Sequence, residues 1–331
     1  MMRITVVGGG AWGTACAIHL ARRGAKPLLW LYEPELCEII NRTRENSYYL
    51  PGAPIPEAIE CTYLLEHAVG ASDNIILATP SFALRSVLQR AAPYFSGKNI
   101  LILTKGLEIE TFLRMSEVAL QIVGAESNVA VLSGPSFAKE VAKGVFTAVV
   151  IASRHKQVSG HFQEMLHNER LRVYTSEDVI GVELGGALKN VMAIGAGMIE
   201  GLRLGSNTEA AYVTRALAEI RRLGKALGAR DATFMGLSGL GDLVLTCTGP
   251  LSRNRQFGID LARGEKAAEI VSGQKAVVEG YYTIDAAYRL SKERNVEMPI
   301  TEELYRIVYQ DKDIRTSLED ITARVYKEEE I

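Results

Sequence analysis

Four cysteines in 331 residues, Cys16, Cys37, Cys61 and Cys247, stand far apart and form no C-x-x-C pair. That spacing argues against a disulfide framework or a thiolate zinc site and fits buried thiols in a reducing compartment. The five histidines, His19, His67, His155, His161 and His167, include no i, i+4 pair and no companion cysteine, so no metal is assigned. Neither sign of charge prevails. The 37 Lys and Arg against 39 Asp and Glu leave a net charge of −2, which gives no electrostatic footprint for nucleic acid. No apolar run approaches the roughly 20 residues that cross a bilayer, and no basic segment followed by an apolar signal region precedes the first strand pattern. A cytoplasmic protein without membrane insertion is the expectation, with small molecules or copies of itself as partners. There is also no internal repeat, low-complexity stretch or long linker.

What is present is globular: 47% hydrophobic and 23% charged residues, over a length sufficient for two domains with separate cores. Arg3-Ile4-Thr5-Val6-Val7 reads as a strand running into Gly8-Gly9-Gly10-Ala11-Trp12-Gly13, after which Thr14 to Arg23 has helical character. Gly8, Gly10 and Gly13 fit G-x-G-x-x-G. The first glycine makes the turn, the second lets a pyrophosphate touch backbone, and the third lets helix pack on strand. Leu28–Leu31 supplies a second strand, and Glu33 stands where an acidic residue accepts hydrogen bonds from adenosine ribose hydroxyls.

Further strands are expected at 60–63, 74–79, 100–104, 129–132, 147–152 and 171–174, with helices between them. The rhythm predicts an α/β fold with an N-terminal Rossmann-type, doubly wound, mostly parallel sheet. Thr79-Pro80-Ser81-Phe82, Thr104-Lys105-Gly106 and Ser133-Gly134-Pro135-Ser136-Phe137 end strands where a ligand crevice should lie. Beyond about residue 180 strand patterns vanish. Helical spacing over 209–227, 301–309 and 318–326, with Asp231 capping another short helix, predicts a mainly α-helical C-terminal domain. The expected division is 1–180 for dinucleotide binding and 181–331 for substrate binding and catalysis.

The second half opens on a helix crowded with glycine, capped by the Ser176-Glu177-Asp178 segment. Gly181, Gly185, Gly186, Gly195, Gly197 and Gly201 occupy it, although each interior glycine costs roughly 1 kcal/mol against alanine. Something must lie close to this backbone. Gly186, Asn190, Ala193 and Gly197 share one stripe, with Lys189 about 100° round the helix from it. Two loops downstream carry chemistry. Gly236 to Leu243 reads as too glycine-rich for regular structure and aims Asp242 and Thr246 outward, while Ser252-Arg253-Asn254-Arg255 combines donors of the kind that hold phosphate. Glu328-Glu329-Glu330 reads as a solvated tail.

With these motifs in order, the sequence resembles the bacterial NAD(P)-dependent glycerol-3-phosphate dehydrogenases over nearly its whole length. The resemblance rests on residues 104–108, 133–138, 186–191, 239–243, 252–254 and 277–280 together with the glycine fingerprint. It implies reversible reduction of dihydroxyacetone phosphate to sn-glycerol 3-phosphate with NADH or NADPH, dual use being favoured, in supply of glycerophospholipid synthesis. It further implies that Lys189 handles the proton, with Lys105, Asp242 and Asn190 beside it. Lys105, Gly134, Ser136, Lys189, Asp242, Thr246, Ser252, Arg253 and Asn254 would meet the substrate. Gly8, Gly10, Ala11, Trp12, Gly13, Tyr32, Glu33, Tyr49, Lys105, Ala138, Arg253, Val277 and Glu279 would meet the cofactor.

Two positions depart from the family habit: Ala11 where many relatives have serine, and Tyr32 where many have arginine or histidine. Tyr32 and Glu33 together leave the choice between NAD and NADP open. Rival readings are a β-hydroxyacid or ketopantoate-type dehydrogenase, which would recognise carboxylate, and a non-catalytic dinucleotide sensor. A homodimer through the helical domain is the expected assembly.

Overall fold

The computed structural model describes residues 3–125, 127–273, 276–324 and 328. Ten strands form: β1 Arg3–Val7, β2 Lys26–Trp30, β3 Glu45–Asn46, β4 Leu50–Pro54, β5 Glu60–Thr62, β6 Asn74–Leu77, β7 Asn99–Ile102, β8 Asn128–Ser133, β9 Thr147–Ala152 and β10 Leu171–Ser176. Eight of them make one sheet in the order β10-β9-β8-β7-β6-β1-β2-β5. Every pairing in it is parallel except β8 with β9. The short antiparallel pair β3–β4 lies apart, in a stretch where the sequence pattern predicts no strand.

The strands are apolar on both faces because helices cover both. Ile4, Val6, Leu29, Ile76, Leu101 and Ala130 bury on one side, and Val7, Trp30, Ile75, Leu77, Ile100 and Val129 on the other. Alternate residues thus feed separate cores, as the period of two requires. The order reverses beside β1, where β1 pairs with β2 on one edge and β6 on the other, and this switch point is where an open α/β sheet forms its ligand crevice.

From Val179 onward every described element is helical. The helix Val179–Gly201 begins with Asp178 as its cap, whose side chain accepts from the Gly181 N–H at 3.0 Å. It is long and apolar enough to cross a membrane by length and composition, with mean hydropathy 1.3, but 89% of that stretch is buried inside the protein. Its glycines serve contact. A Cβ on Gly197 would lie 1.9 Å from the Arg255 carbonyl oxygen, and one on Gly258 would lie 1.9 Å from that of Ile194, so this helix and the helix Arg253–Ala262 touch backbone to backbone.

Local readings differ from the structure in three places. The 236–243 segment is not irregular: Leu237–Gly241 is a π-helical turn, closed by Gly241 N–H to Gly236 O at 3.1 Å, and Asp242–Thr248 continues as α-helix. The wide turn fits because Gly185 has no side chain where the Ser238 carbonyl approaches. Asp231 is the first residue of the helix Asp231–Phe234, and Arg230 holds the cap position. The last helix runs Ile314–Thr322 rather than to 326; Val325 and Tyr326 lie outside the described residues, as do Glu329 and Glu330 of the acidic tail.

Candidate active site

Strand β1 delivers the chain into the glycine turn. Gly8 has φ +121°, and a Cβ there would collide with the Ala78 carbonyl at 2.6 Å. Gly13 lies against Gly8, whose carbonyl oxygen would be 1.9 Å from a Cβ, whereas Gly10 faces open space. Gly13 therefore serves helix–strand contact, and Gly10 leaves the backbone accessible. The helix Ala11–Arg22 begins here with no side-chain cap and no acidic residue in its first turn, so its leading N–H groups remain as donors for an anion. Asn46 braces the turn from β3: its amide donates to Gly9 O at 2.7 Å and Thr14 Oγ1 at 2.8 Å. Nothing in the local sequence singles out Asn46, because its partners lie more than thirty residues away.

A groove of about 1060 Å³ runs from this turn into the helical half. Gly8, Gly10, Ala11, Trp12, Tyr32, Glu33, Tyr49, Lys105, Ala138, Arg253, Val277 and Glu279 line it, together with Ser136, Lys189, Asn190, Thr246, Ser252 and Asn254. Gly13, Gly134 and Asp242 lie behind the wall. The glycine turn, the uncapped helix start and this lining fit a dinucleotide along one arm of the groove. At the end of the groove beside β2 the Tyr49 hydroxyl donates to Glu33 Oε1 at 2.6 Å, and burial together with that carboxylate pushes the Tyr49 phenol up to about 12. Arg42 and Arg44 follow Glu33 closely enough that either could neutralise a ribose phosphate; Arg44 is committed elsewhere, donating to the carbonyls of Ile55, Pro56 and Ile59.

At the other end two lysines meet one carboxylate. Asp242 is fully buried; its Oδ2 accepts from Lys105 Nζ at 2.7 Å and its Oδ1 from Lys189 Nζ. Lys105 also donates to Gly134 O at 3.2 Å. Burial lowers the Lys189 pKa to about 8; Asp242 opposes that shift and the neighbouring Lys105 adds to it. Three separate segments build the pair: the turn after β7, the glycine helix and the start of the Asp242–Thr248 helix. Thr246 secures the last by donating to Asp242 O at 2.6 Å.

Beside the lysines, Asn254 Nδ2 donates to Asn190 Oδ1 at 2.9 Å while Asn254 Oδ1 accepts from Gly280 N–H at 2.9 Å. The two amides bind three helices together, leaving Asn254 one amide hydrogen to offer. Ser252 caps the helix Arg253–Ala262, accepting from Arg255 N–H at 3.2 Å, and its hydroxyl hydrogen stays free to donate. Arg253 makes no hydrogen bond to the described residues; burial lowers its guanidinium pKa, and the nearby Glu279 carboxylate opposes that shift. A helix start, a hydroxyl and a guanidinium thus converge on one side of the lysines, an arrangement suited to phosphate.

Comparison with known proteins agrees with this geometry. The family model for the NAD-dependent glycerol-3-phosphate dehydrogenase N-terminus matches residues 3–159, and the model for the C-terminus matches residues 178–319. The glycerol-3-phosphate dehydrogenase, NAD(P)+, of Geobacter metallireducens is 45% identical over 330 residues, covering 99% of this chain and 98% of its own. That of Geobacter sulfurreducens is 46% identical with the same coverage. The crystal structure of glycerol-3-phosphate dehydrogenase from Coxiella burnetii is 39% identical, covers 98% of this chain and 99% of its own, and superposes with a TM-score of 0.93. With both halves matched in order, the chain belongs to the NAD(P)-dependent glycerol-3-phosphate dehydrogenase family.

Proposed function

We propose that Lys189 is the proton donor and acceptor in this family's reaction, the reversible NAD(P)H-dependent reduction of dihydroxyacetone phosphate to sn-glycerol 3-phosphate, with Lys105 and Asp242 holding it in place. The observation that carries the assignment is the fully buried Asp242 carboxylate joined to both ammonium groups at the end of the groove. A dinucleotide held in the groove would supply the hydride that the carbonyl carbon accepts. Lys189 then protonates the developing alkoxide, and Lys105 stabilises its charge at short range. Arg253, the Ser252 hydroxyl and the first N–H groups of the Arg253–Ala262 helix hold the phosphate, which orients the ketone without taking part in the chemistry. The division of labour follows the chain in the main, with the glycine turn and most dinucleotide contacts before residue 180 and most substrate contacts after it, while Arg253, Val277 and Glu279 reach the dinucleotide groove from the second half. The four free thiols support a reducing, cytoplasmic setting.

The assay is NADH oxidation with dihydroxyacetone phosphate, set against ketopantoate and a β-hydroxyacid couple. Turnover of either rival in preference to the phosphate ester would overturn the reading, and dinucleotide binding without turnover would make the protein a sensor. Arg253→Lys keeps the charge but loses the planar fork, so KM for dihydroxyacetone phosphate should rise by a factor corresponding to about 1.5–3 kcal/mol of charge-assisted hydrogen bonding. Unphosphorylated dihydroxyacetone should be a poor substrate. Equal use of both would show that the basic turn binds no phosphate.

Both dinucleotides serve this family, and we infer that Glu33 sets the balance toward NADH. Its carboxylate, held by Tyr49, lines the groove where the adenosine ribose would lie, and a charge there opposes a 2′-phosphate. Of the two arginines that could offset it, Arg42 and Arg44, the second is held by backbone carbonyls. Glu33→Gln is therefore expected to raise kcat/KM for NADPH selectively. Equal change with both cofactors, or none, would move the discrimination to other residues.

A further inference from the structure

Among the described residues, the cationic side chains that line the groove are Arg90, Lys105, Lys139, Lys189 and Arg253. Lys105 and Lys189 are tied to Asp242, and Arg253 opens the helix beside them. Lys139 belongs to the helix Ala138–Lys143, which packs on the helix Ala11–Arg22. Arg90 stands apart from all of these. It closes the helix Ser81–Arg90, is exposed, and its guanidinium makes no hydrogen bond or ion pair to the described residues. The start of that helix lies against the Lys105 turn, where a Cβ on Gly106 would be 2.7 Å from Ser81 Cβ. Its ten residues then span about 15 Å, which carries Arg90 to the end of the groove away from the lysines.

Ala83, Ser86, Val87 and Arg90 share one face of the helix, and all four line the groove. The end of β2 adjoins that face. Trp30 packs in one core cluster with Leu84, Val87 and Ala91, and the exposed Tyr32 ring meets Trp30 edge-on with centroids 6.4 Å apart. Arg90 thus borders the groove from the helix while Tyr32 and Glu33 border it from the strand end. Tyr32 brings no charge to that corner and Glu33 brings a negative one, whereas Arg42 and Arg44 are not part of the groove lining. A ribose 2′-phosphate there would meet a carboxylate alone unless a cation reached it from the helix. We propose that Arg90 reads the 2′-phosphate of NADPH, offsetting Glu33 and so letting this chain take both dinucleotides. A planar guanidinium suits phosphate oxygens through paired N–H groups, and NADH, which lacks that phosphate, gains nothing from it. The inference rests on the groove being the dinucleotide site, with adenosine at the Tyr32–Glu33 corner.

The test measures binding rather than turnover: fluorescence titration of NADH and NADPH into wild type, Arg90→Ala, Arg90→Lys and Lys139→Ala. Losing a charge-assisted contact should weaken NADPH about tenfold or more in Arg90→Ala and leave NADH within about twofold, with Arg90→Lys between wild type and alanine for NADPH. Adenosine 2′,5′-bisphosphate, which carries the phosphate without the nicotinamide, should displace NADH from wild type better than AMP does. That advantage should vanish in Arg90→Ala and shrink as salt rises. Arg90 is exposed at a helix end, so the variants should keep the wild-type urea midpoint. Equal losses of NADH and NADPH would make Arg90 a contact of the shared adenosine and overturn the proposal, as would a selective loss of NADPH in Lys139→Ala instead. Unchanged affinities in Arg90→Ala, with Glu33→Gln still favouring NADPH, would overturn the role of Arg90 and leave that of Glu33 standing. If neither residue alters a dinucleotide that binds, the placement of adenosine at this corner fails and the proposal with it.

Discussion

Lys189→Ala is expected to lower kcat for dihydroxyacetone phosphate reduction on the order of 10²-fold or more while NADH still binds, since general acid–base assistance contributes about 10²–10⁴-fold. The variant should fold. Asp242 keeps Lys105 as a partner at 2.7 Å, so no carboxylate is left buried alone. The wild-type pH profile carries the same assignment. With the Lys189 pKa lowered to about 8, the ammonium that reduction needs is lost as pH rises through that value, and the free amine that oxidation needs appears over the same range. Reduction should therefore fall above pH of about 8 and oxidation should rise, with both limbs flattened in Lys189→Ala. A near-normal rate in the folded variant, or an unaltered profile, would sink the role given to Lys189.

Gly258→Ala should cost about 3 kcal/mol or more of folding stability, a large loss for one added methyl group. The added Cβ would sit 1.9 Å from the Ile194 carbonyl oxygen, which belongs to the glycine helix and cannot rotate aside as a side chain could. The Arg253–Ala262 helix would have to move off, carrying Asn254 from Asn190 and the Ser252-Arg253 turn from the lysines. Gly160→Ala is the control. It lies within the helix Lys156–Leu166 with nothing inside 4 Å of the added atom, so it should gain about 0.5–1 kcal/mol from propensity alone. Urea midpoints of the two variants, at unchanged slope, would decide it; equal midpoints would mean that the helices separate without cost.

Much of the architecture is legible in the chain because it is written locally. The strand–glycine–helix opening needs only neighbours, and the helical half follows from spacing. Crowded glycines around Lys189 foretell a close backbone approach, which the contact with the Arg253–Ala262 helix supplies. What stays hidden depends on distance. The antiparallel pairing of β8 and β9 leaves no trace in either strand, since a buried strand reads the same in both directions. Asn46 looks ordinary in sequence because its partner, Gly9, is remote. The π-helical turn at 237–241 escapes a local reading because glycine content argues for irregularity unless one knows that Gly185 offers a slot for it. The meeting of Lys105, Lys189 and Asp242 likewise joins three segments that no local pattern connects; the family resemblance, not spacing, names them together.

The segment carrying Lys105 is anchored on both sides. Leu107 inserts into the helical core, Glu108 accepts from Arg85 at 2.7 and 2.8 Å, and Arg114 pairs with Glu183 at 2.6 Å at the head of the glycine helix. A loop so tethered cannot swing as an independent flap. Parting the two halves must pull Lys105 away from Asp242 or draw Leu107 out of its core, so opening the molecule and dismantling the lysine pair are one motion. The two ammonium groups therefore keep their places around Asp242 only while the halves stay packed together, and a charge so buried acts more strongly on its neighbours than one in water.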